Sequence, residues 1–277
     1  MILSPDSSLL FGMSASTMLI GASALAAIAY LMVALTGHEE RRARFVFMLG
    51  WLAHLAALFI DIGGVGLDHA GTRFGFAPAL SATLWLVIGV YLVESRLLPL
   101  GGARRVLAVV GLVAVIVAAA FQGATHPTVS PLAPLHWLLG LASYGLFGAA
   151  VLHAVLLNRA EGQLRLKKKK PSDASPGMPL LTLERLTFQF VAAGVITLSL
   201  AMLLGWWITP QWHWDHKNLL SVLGWFVLTG LLIGRHVFGW RGRLATRWLY
   251  FGAVLLLLAY VGSRFVLEVI LHRSLSA

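Results

Sequence analysis

Eight long apolar segments constrain the fold of this chain more than any other feature. Each is close to the roughly 20 residues that an α-helix needs to cross the hydrocarbon core of a bilayer. The sequence is 58% hydrophobic and 12% charged, and its mean hydropathy of +0.83 excludes a soluble globular protein. The pattern predicts an all-α, polytopic membrane helix bundle of about eight transmembrane helices, at about 14–36, 45–62, 76–97, 106–122, 134–157, 187–208, 219–238 and 246–272.

The basic residues predict how this bundle is oriented. Of the 21 lysines and arginines, 17 lie in the loops that follow the first, third, fifth and seventh spans. By the positive-inside rule these loops are cytoplasmic and both termini are external. The first span has no basic region before it, so we expect a retained span and not a cleaved signal peptide. Orientation and lipid headgroups then explain the net charge of +10 without a nucleic-acid partner.

The chain is expected to form a single domain, residues 1–277, with a flexible cytoplasmic linker at 158–185. Four consecutive lysines at 167–170 precede two prolines and a glycine. Charge repulsion and these helix-breaking residues both disfavour packed structure there. Within the spans, small residues such as Gly145 and Gly148 permit close helix approach.

The sequence contains no cysteine, which excludes disulfides, thiolate metal sites and thiol redox chemistry within it. Any metal centre must therefore use histidine, carboxylate or methionine. Ten histidines are present, and no catalytic constellation is evident. This composition favours a protein that holds or handles a ligand over an enzyme.

Two histidines are expected at the external face, because His136 begins the fifth span and His272 ends the eighth. A polar and aromatic loop, residues 212–217, opens at the same face. Two imidazoles from different helices, with the aromatic side chains of this loop between them, suit a bis-histidine haem site. The alternative is an ordinary interfacial aromatic belt with histidines that contact lipid headgroups.

Other ionisable groups lie within the spans. Arg264, Glu268 and His272 follow one another at i, i+4 and i+8, so Arg264 is expected either to pair with Glu268 or to meet a haem propionate. His54 and His236 are candidates for a second, inner haem site or for structural hydrogen bonds. His153 lies about 25 Å along the same helix from His136, at about 1.5 Å per residue, so these two cannot share one iron.

Several motifs resemble the cytochrome c assembly superfamily of haem-handling membrane proteins (the CcsA, ResC and CcmC group), and most closely its YpjD/HemX-like branch. The loop Trp-His-Trp-Asp-His-Lys at 212–217, with Trp225 after it, resembles the second half of the family's WWD signature. His136 followed by Ser143 and Tyr144 is similar to its external histidine and Ser-Tyr pair. Residues 178–186, 239–243 and 259–264 also resemble this branch. The resemblance covers residues 130–273, and the first 125 residues only by topology.

The resemblance implies that His136 and His272 ligate the iron of a non-covalent haem b, with Trp212, Trp214 and Asp215 as the platform. It also implies His236, with His54 as partner, for an inner site. The expected function is haem binding in the bacterial cytoplasmic (inner) membrane during cytochrome c biogenesis. Its expected partners are the lipid bilayer, haem, other assembly proteins and an apocytochrome. The alternatives are a regulatory scaffold that delivers no haem, a haem transporter and a transmembrane electron carrier.

Overall fold

The computed structural model describes residues 15–36, 40–63, 72–96, 103–126, 130–167, 180–209 and 214–270. Within these ranges eight helices are long and apolar enough to cross a membrane, which confirms the predicted all-α bundle. The first seven are α1 (Ala15–Leu35), α2 (Glu40–Ile62), α3 (Phe76–Glu94), α4 (Ala103–Ala120), α5 (Ala133–Lys167), α6 (Leu180–Ile208) and α7 (His216–Phe238). The eighth span is Gly242–Ile270, and it begins with α8 (Gly242–Leu257). Both termini, His272, Trp212 and linker residues 168–179 lie outside the described residues.

The helices pack as two groups, each around its own apolar core. Tyr30, Phe47 and Ile88 belong to a core formed mainly by α1–α4, to which α5 and α6 add Leu157 and Leu183. Leu228 and Leu249 belong to the core of α5–α8. In a bilayer, where lipid tails are as apolar as the side chains, such packing depends on close fit.

Helices α3 and α5 join the two groups. The predicted role of the small residues is confirmed here. A Cβ atom on Gly145 would lie 2.7 Å from Leu86, and one on Gly148 would lie 2.5 Å from Val87. A larger residue at either position would therefore separate the helices.

A short β ladder is a feature that the sequence analysis did not predict. β1 (Thr72–Phe74) pairs antiparallel with β2 (Ala124–His126), so that the segment before α3 is tied to the segment after α4. Gly75 and Gly123 permit this close approach, because a Cβ on Gly123 would lie 2.5 Å from the Phe74 carbonyl carbon. With three residues in each strand, the ladder leaves the fold class unchanged.

The last span departs from regular α-helix. Beyond α8 it continues through π-helical turns at Leu258–Gly262 and Val266–Ile270, separated by an α-helical turn at Ser263–Phe265. A π-helix bonds i to i+5 and rotates the following side chains relative to an α-helix, and such turns are frequent at functional sites. Tyr260 and Arg264, which lie in this region, both face a cavity.

The predicted orientation can be tested directly, because the natural sequence has no cysteine. Single cysteines at Lys168 and His213 lie on loops assigned to opposite faces. We expect an impermeant maleimide to label intact spheroplasts at position 213 and not at 168, and to label both after permeabilisation. Labelling at 168 alone in intact spheroplasts would reverse the bundle and place the cavity described below at the cytoplasmic face.

Candidate functional site

A cavity of about 370 Å³ lies at the end of the bundle that the charge distribution assigns to the external face. Its volume falls within the range of small-molecule pockets, about 300–1,000 Å³. The wall is formed by β1, α3, α5, α6, α7 and the last span. The lining residues that carry chemistry are His136, Trp137, Tyr144, Met202, Asp215, Lys217, Tyr260 and Arg264.

His136 lies half-buried in the first turn of α5, and its ring is held against α6. Its Nδ1 lies 2.9 Å from the Ala201 carbonyl oxygen. Since a carbonyl only accepts, Nδ1 carries the proton and Nε2 carries the lone pair. A backbone carbonyl that fixes the tautomer in this way is the usual second partner of a metal-binding histidine.

Gly205 makes the position of the His136 ring possible. A Cβ atom at Gly205 would lie 2.7 Å from His136 Cε1. Gly140 lines the same cavity, but a Cβ atom there would meet nothing within 4 Å. A methyl group at position 205 would therefore meet the imidazole, whereas a methyl group at position 140 would not. Both glycines lie in helices that border the cavity.

The remaining wall is largely aromatic and apolar. Phe74 packs against Trp137 with ring centroids 4.9 Å apart. The Tyr144 hydroxyl donates to the Leu256 carbonyl at 2.8 Å, which satisfies the polar end of that ring. Flat aromatic side chains of this kind offer large contact area to a planar ligand.

Cations and a carboxylate complete the cavity. Lys217 and Arg264 both line it, as does Asp215. Arg264 Nη1 lies 3.8 Å from Glu268 Oε1, and Glu268 Oε2 accepts from the Phe76 backbone N–H at 3.4 Å. The glutamate therefore links the last span to the start of α3.

The structure describes only two of the three predicted platform residues, Trp214 and Asp215. Asp215 caps α7, because its Oδ1 accepts from the Asn218 backbone N–H at 2.8 Å, and it also borders the cavity. The Trp214 side chain is 71% exposed and does not line the cavity. Trp212 and the predicted second ligand His272 lie outside the described residues.

The structure does not bring the inner histidines together. His54 is buried, with Nε2 2.7 Å from the Ser81 hydroxyl and Nδ1 3.2 Å from the Tyr30 hydroxyl. The adjoining cavity has about 10 Å³, which is room for about one water molecule. His236 is exposed in the last turn of α7. Structural hydrogen bonding, one of the two interpretations open from the sequence, fits His54.

Two features of the molecule had no role in the sequence interpretation. Lys217 belongs to the 212–217 loop but had no predicted role of its own, although it lines the cavity. His153 is fully buried and its Nε2 lies 2.8 Å from Glu94 Oε2. A buried histidine within an apolar span was the available signal for the second feature, but the sequence does not show which carboxylate it meets.

An eight-span helical bundle with a ligand-sized cavity at one end defines an integral, multi-pass membrane protein. The chain belongs to the family described as "Cytochrome C assembly protein", which matches residues 19–271. It is a multi-pass protein of the bacterial cytoplasmic membrane.

Curated relatives match about half of the chain. It is 36% identical over 149 residues to "Inner membrane protein YpjD" of Escherichia coli strain K12, which covers 53% of this chain and 56% of that protein. It is 33% identical over 164 residues to "Uncharacterized 28.8 kDa protein in nifR3-like 5'region" of Azospirillum brasilense, over 54% of this chain and 59% of that protein. The matches thus span little more than half the length of these relatives. No solved structure matches the chain.

Proposed function

We propose that this protein binds haem b without a covalent bond in the external cavity and takes part in cytochrome c assembly. The observation that carries the proposal is His136, which lines the cavity with its Nδ1 proton bound to the Ala201 carbonyl. That tautomer leaves the Nε2 lone pair available for an axial position on iron. Membership of the cytochrome c assembly family supports the same ligand.

The residues present fit this prosthetic group. Trp137, Tyr144 and Tyr260 supply aromatic surface, and Lys217 and Arg264 supply positive charge. His272 remains the proposed second ligand, and Trp212 and Trp214 the proposed flanking indoles, on the resemblance of the sequence. Bound haem would supply the iron and the vinyl groups, while the protein holds the ring and excludes water.

Attachment of haem to a cytochrome needs cysteines that this sequence does not contain. An apocytochrome would therefore provide the thiols, and the role of this chain is to hold or present haem. A transmembrane haem transporter would need a second haem-binding site. The space beside His54 admits about one water molecule, which is too little for haem.

The absorption spectrum of protein purified in mild detergent tests the proposal. We expect a Soret band at purification or after stoichiometric addition of haem, with a low-spin spectrum if two imidazoles ligate the iron. A folded protein that binds no haem under either condition would favour the regulatory scaffold.

Gly205 and Gly140 provide a matched test of the imidazole position. Replacing Gly205 with alanine should displace the His136 ring. Overpacking of this kind costs about 1–3 kcal/mol, which, taken from the binding free energy, would weaken haem binding by about 5- to 160-fold. Gly140→Ala makes the same chemical change in the same cavity without a clash, so it should bind haem normally. Haem titration followed by absorbance measures both, and equal affinities would show that the ring position is unimportant.

A further inference from the structure

Two cations in the cavity converge on one aromatic ring. Lys217 Nζ and Arg264 Cζ each lie 6.0 Å from the centroid of the Tyr260 ring, at the outer limit of a cation–π contact. Lys217 comes from the first turn of α7, and Arg264 comes from the last span. Both side chains line the cavity that contains His136.

This arrangement is unfavourable unless negative charge lies nearby. Like charges repel more strongly in a partly apolar cavity than in water, and ionisable groups at membrane depth normally pair or face a wet cavity. Two carboxylates are close, Asp215 and Glu268. Both also accept backbone hydrogen bonds, from Asn218 and Phe76 respectively, so each carboxylate has a structural role as well.

Ammonium and guanidinium groups can each bond to more than one carboxylate. An ammonium group carries three N–H donors and a guanidinium carries five. The 3.8 Å separation of Arg264 and Glu268 is that of an ion pair and is too long for a hydrogen bond.

We infer that Lys217 and Arg264 form a subsite for the two carboxylates of a porphyrin, and that this subsite selects a dianionic ring over its uncharged diester. The inference rests on the proposed function, because it assigns the edge of the ligand whose centre His136 would hold. His136 lies on α5, whereas both cations lie on α7 and the last span. A planar ligand with a metal at its centre and carboxylates along one edge could place the metal at His136 and the carboxylates at the two cations.

Metal-free protoporphyrin IX and its dimethyl ester test the subsite apart from iron ligation. Porphyrin fluorescence gives the affinity of each for the purified full-length protein in one detergent. Hydrogen bonds to charged groups predict a preference of the native protein for the diacid of about tenfold or more. Lys217→Met should lower the diacid-to-diester ratio several-fold, whereas Lys217→Arg should preserve it.

The diacid-to-diester affinity ratio is compared between variants. Both porphyrins partition into the same micelles in every sample, so the effect of detergent on this ratio is the same for every variant. Arg73→Gln is the matched control, because Arg73 is an external cation that bonds to Gln122 and does not line the cavity. An unchanged ratio in Lys217→Met, or an equal fall in Arg73→Gln, would overturn the subsite while haem binding through His136 still stood. If the native protein bound neither porphyrin nor haem, the subsite and the proposed function would both be wrong.

Discussion

Replacing His136 with alanine is expected to remove most of the bound haem or to convert a low-spin spectrum to a five-coordinate one. The imidazole is held by Ala201 on α6 and lines the cavity, so its loss removes an oriented ligand. Changing a residue that only supports a metal ligand costs about 10- to 100-fold in affinity. Loss of the ligand itself should therefore weaken haem binding by more than about a hundredfold.

Absorption spectra and haem titrations of the purified variant measure this effect. Added imidazole should restore the spectrum by filling the vacant axial position. His236→Ala is the matched control, because His236 is exposed at the other end of the bundle. His272→Ala should resemble His136→Ala if the two act as one site. If His136→Ala and His272→Ala both kept a native spectrum while His54→Ala or His236→Ala lost haem, the haem would be bound at the inner site instead.

Most of the fold could be predicted from the sequence because a bilayer permits few solutions. Helices satisfy their own backbone groups, so an apolar run of sufficient length specifies a spanning helix. Helix ends were less predictable: α5 extends to Lys167, well past the predicted end at about 157. Its extension lies in the basic, polar stretch where hydropathy falls but helix propensity does not.

The β ladder and the π-helical turns could not be predicted in the same way. Strands of three residues give no measurable alternation, and the ladder depends on the approach of Gly75 to Gly123. The predicted alignment of Arg264 with Glu268 on one face depends on α-helical spacing. The π-helical turns change that spacing, and only the structure shows that Tyr260 and Arg264 share a cavity with Lys217.

The predicted membrane topology was the most useful guide to which residues lie together at the candidate site. Assigning segment ends to faces predicted that His136, Asp215 and Arg264 would lie at one end of the bundle, and all three line the same cavity. Hydropathy could not distinguish an indole on the cavity wall from one on the lipid side. Trp137, which received no role, lines the cavity, whereas Trp214 is exposed.

The largest expected effect on stability concerns the buried pair of His153 and Glu94. His153 Nδ1 lies 2.8 Å from the Ala149 carbonyl oxygen, and Nε2 lies 2.8 Å from Glu94 Oε2. Both neighbours are acceptors, whereas a neutral imidazole has only one N–H. The contact between Nε2 and Oε2 is short without being aligned as a hydrogen bond. The imidazole and the carboxylate are nevertheless polar neighbours between α5 and α3.

Glu94→Ala should consequently destabilise the protein, because the buried His153 Nε2 would lose the carboxylate that it faces. Leaving a buried polar group without its partner costs about 1–3 kcal/mol, and more for a charged group, whereas replacing both partners by apolar groups of the same shape can be nearly neutral. Thermal unfolding in detergent, followed by tryptophan fluorescence, should therefore show a large fall in Tm for Glu94→Ala and for His153→Leu. The double variant Glu94→Leu/His153→Leu should recover much of the lost Tm. Glu94→Gln keeps the size and polarity of the side chain, so its Tm should lie between those of the native protein and Glu94→Ala. If the loss of Tm in the double variant equalled the sum of the losses in the two single variants, the contribution would be side-chain packing between α3 and α5 and not the polar contact.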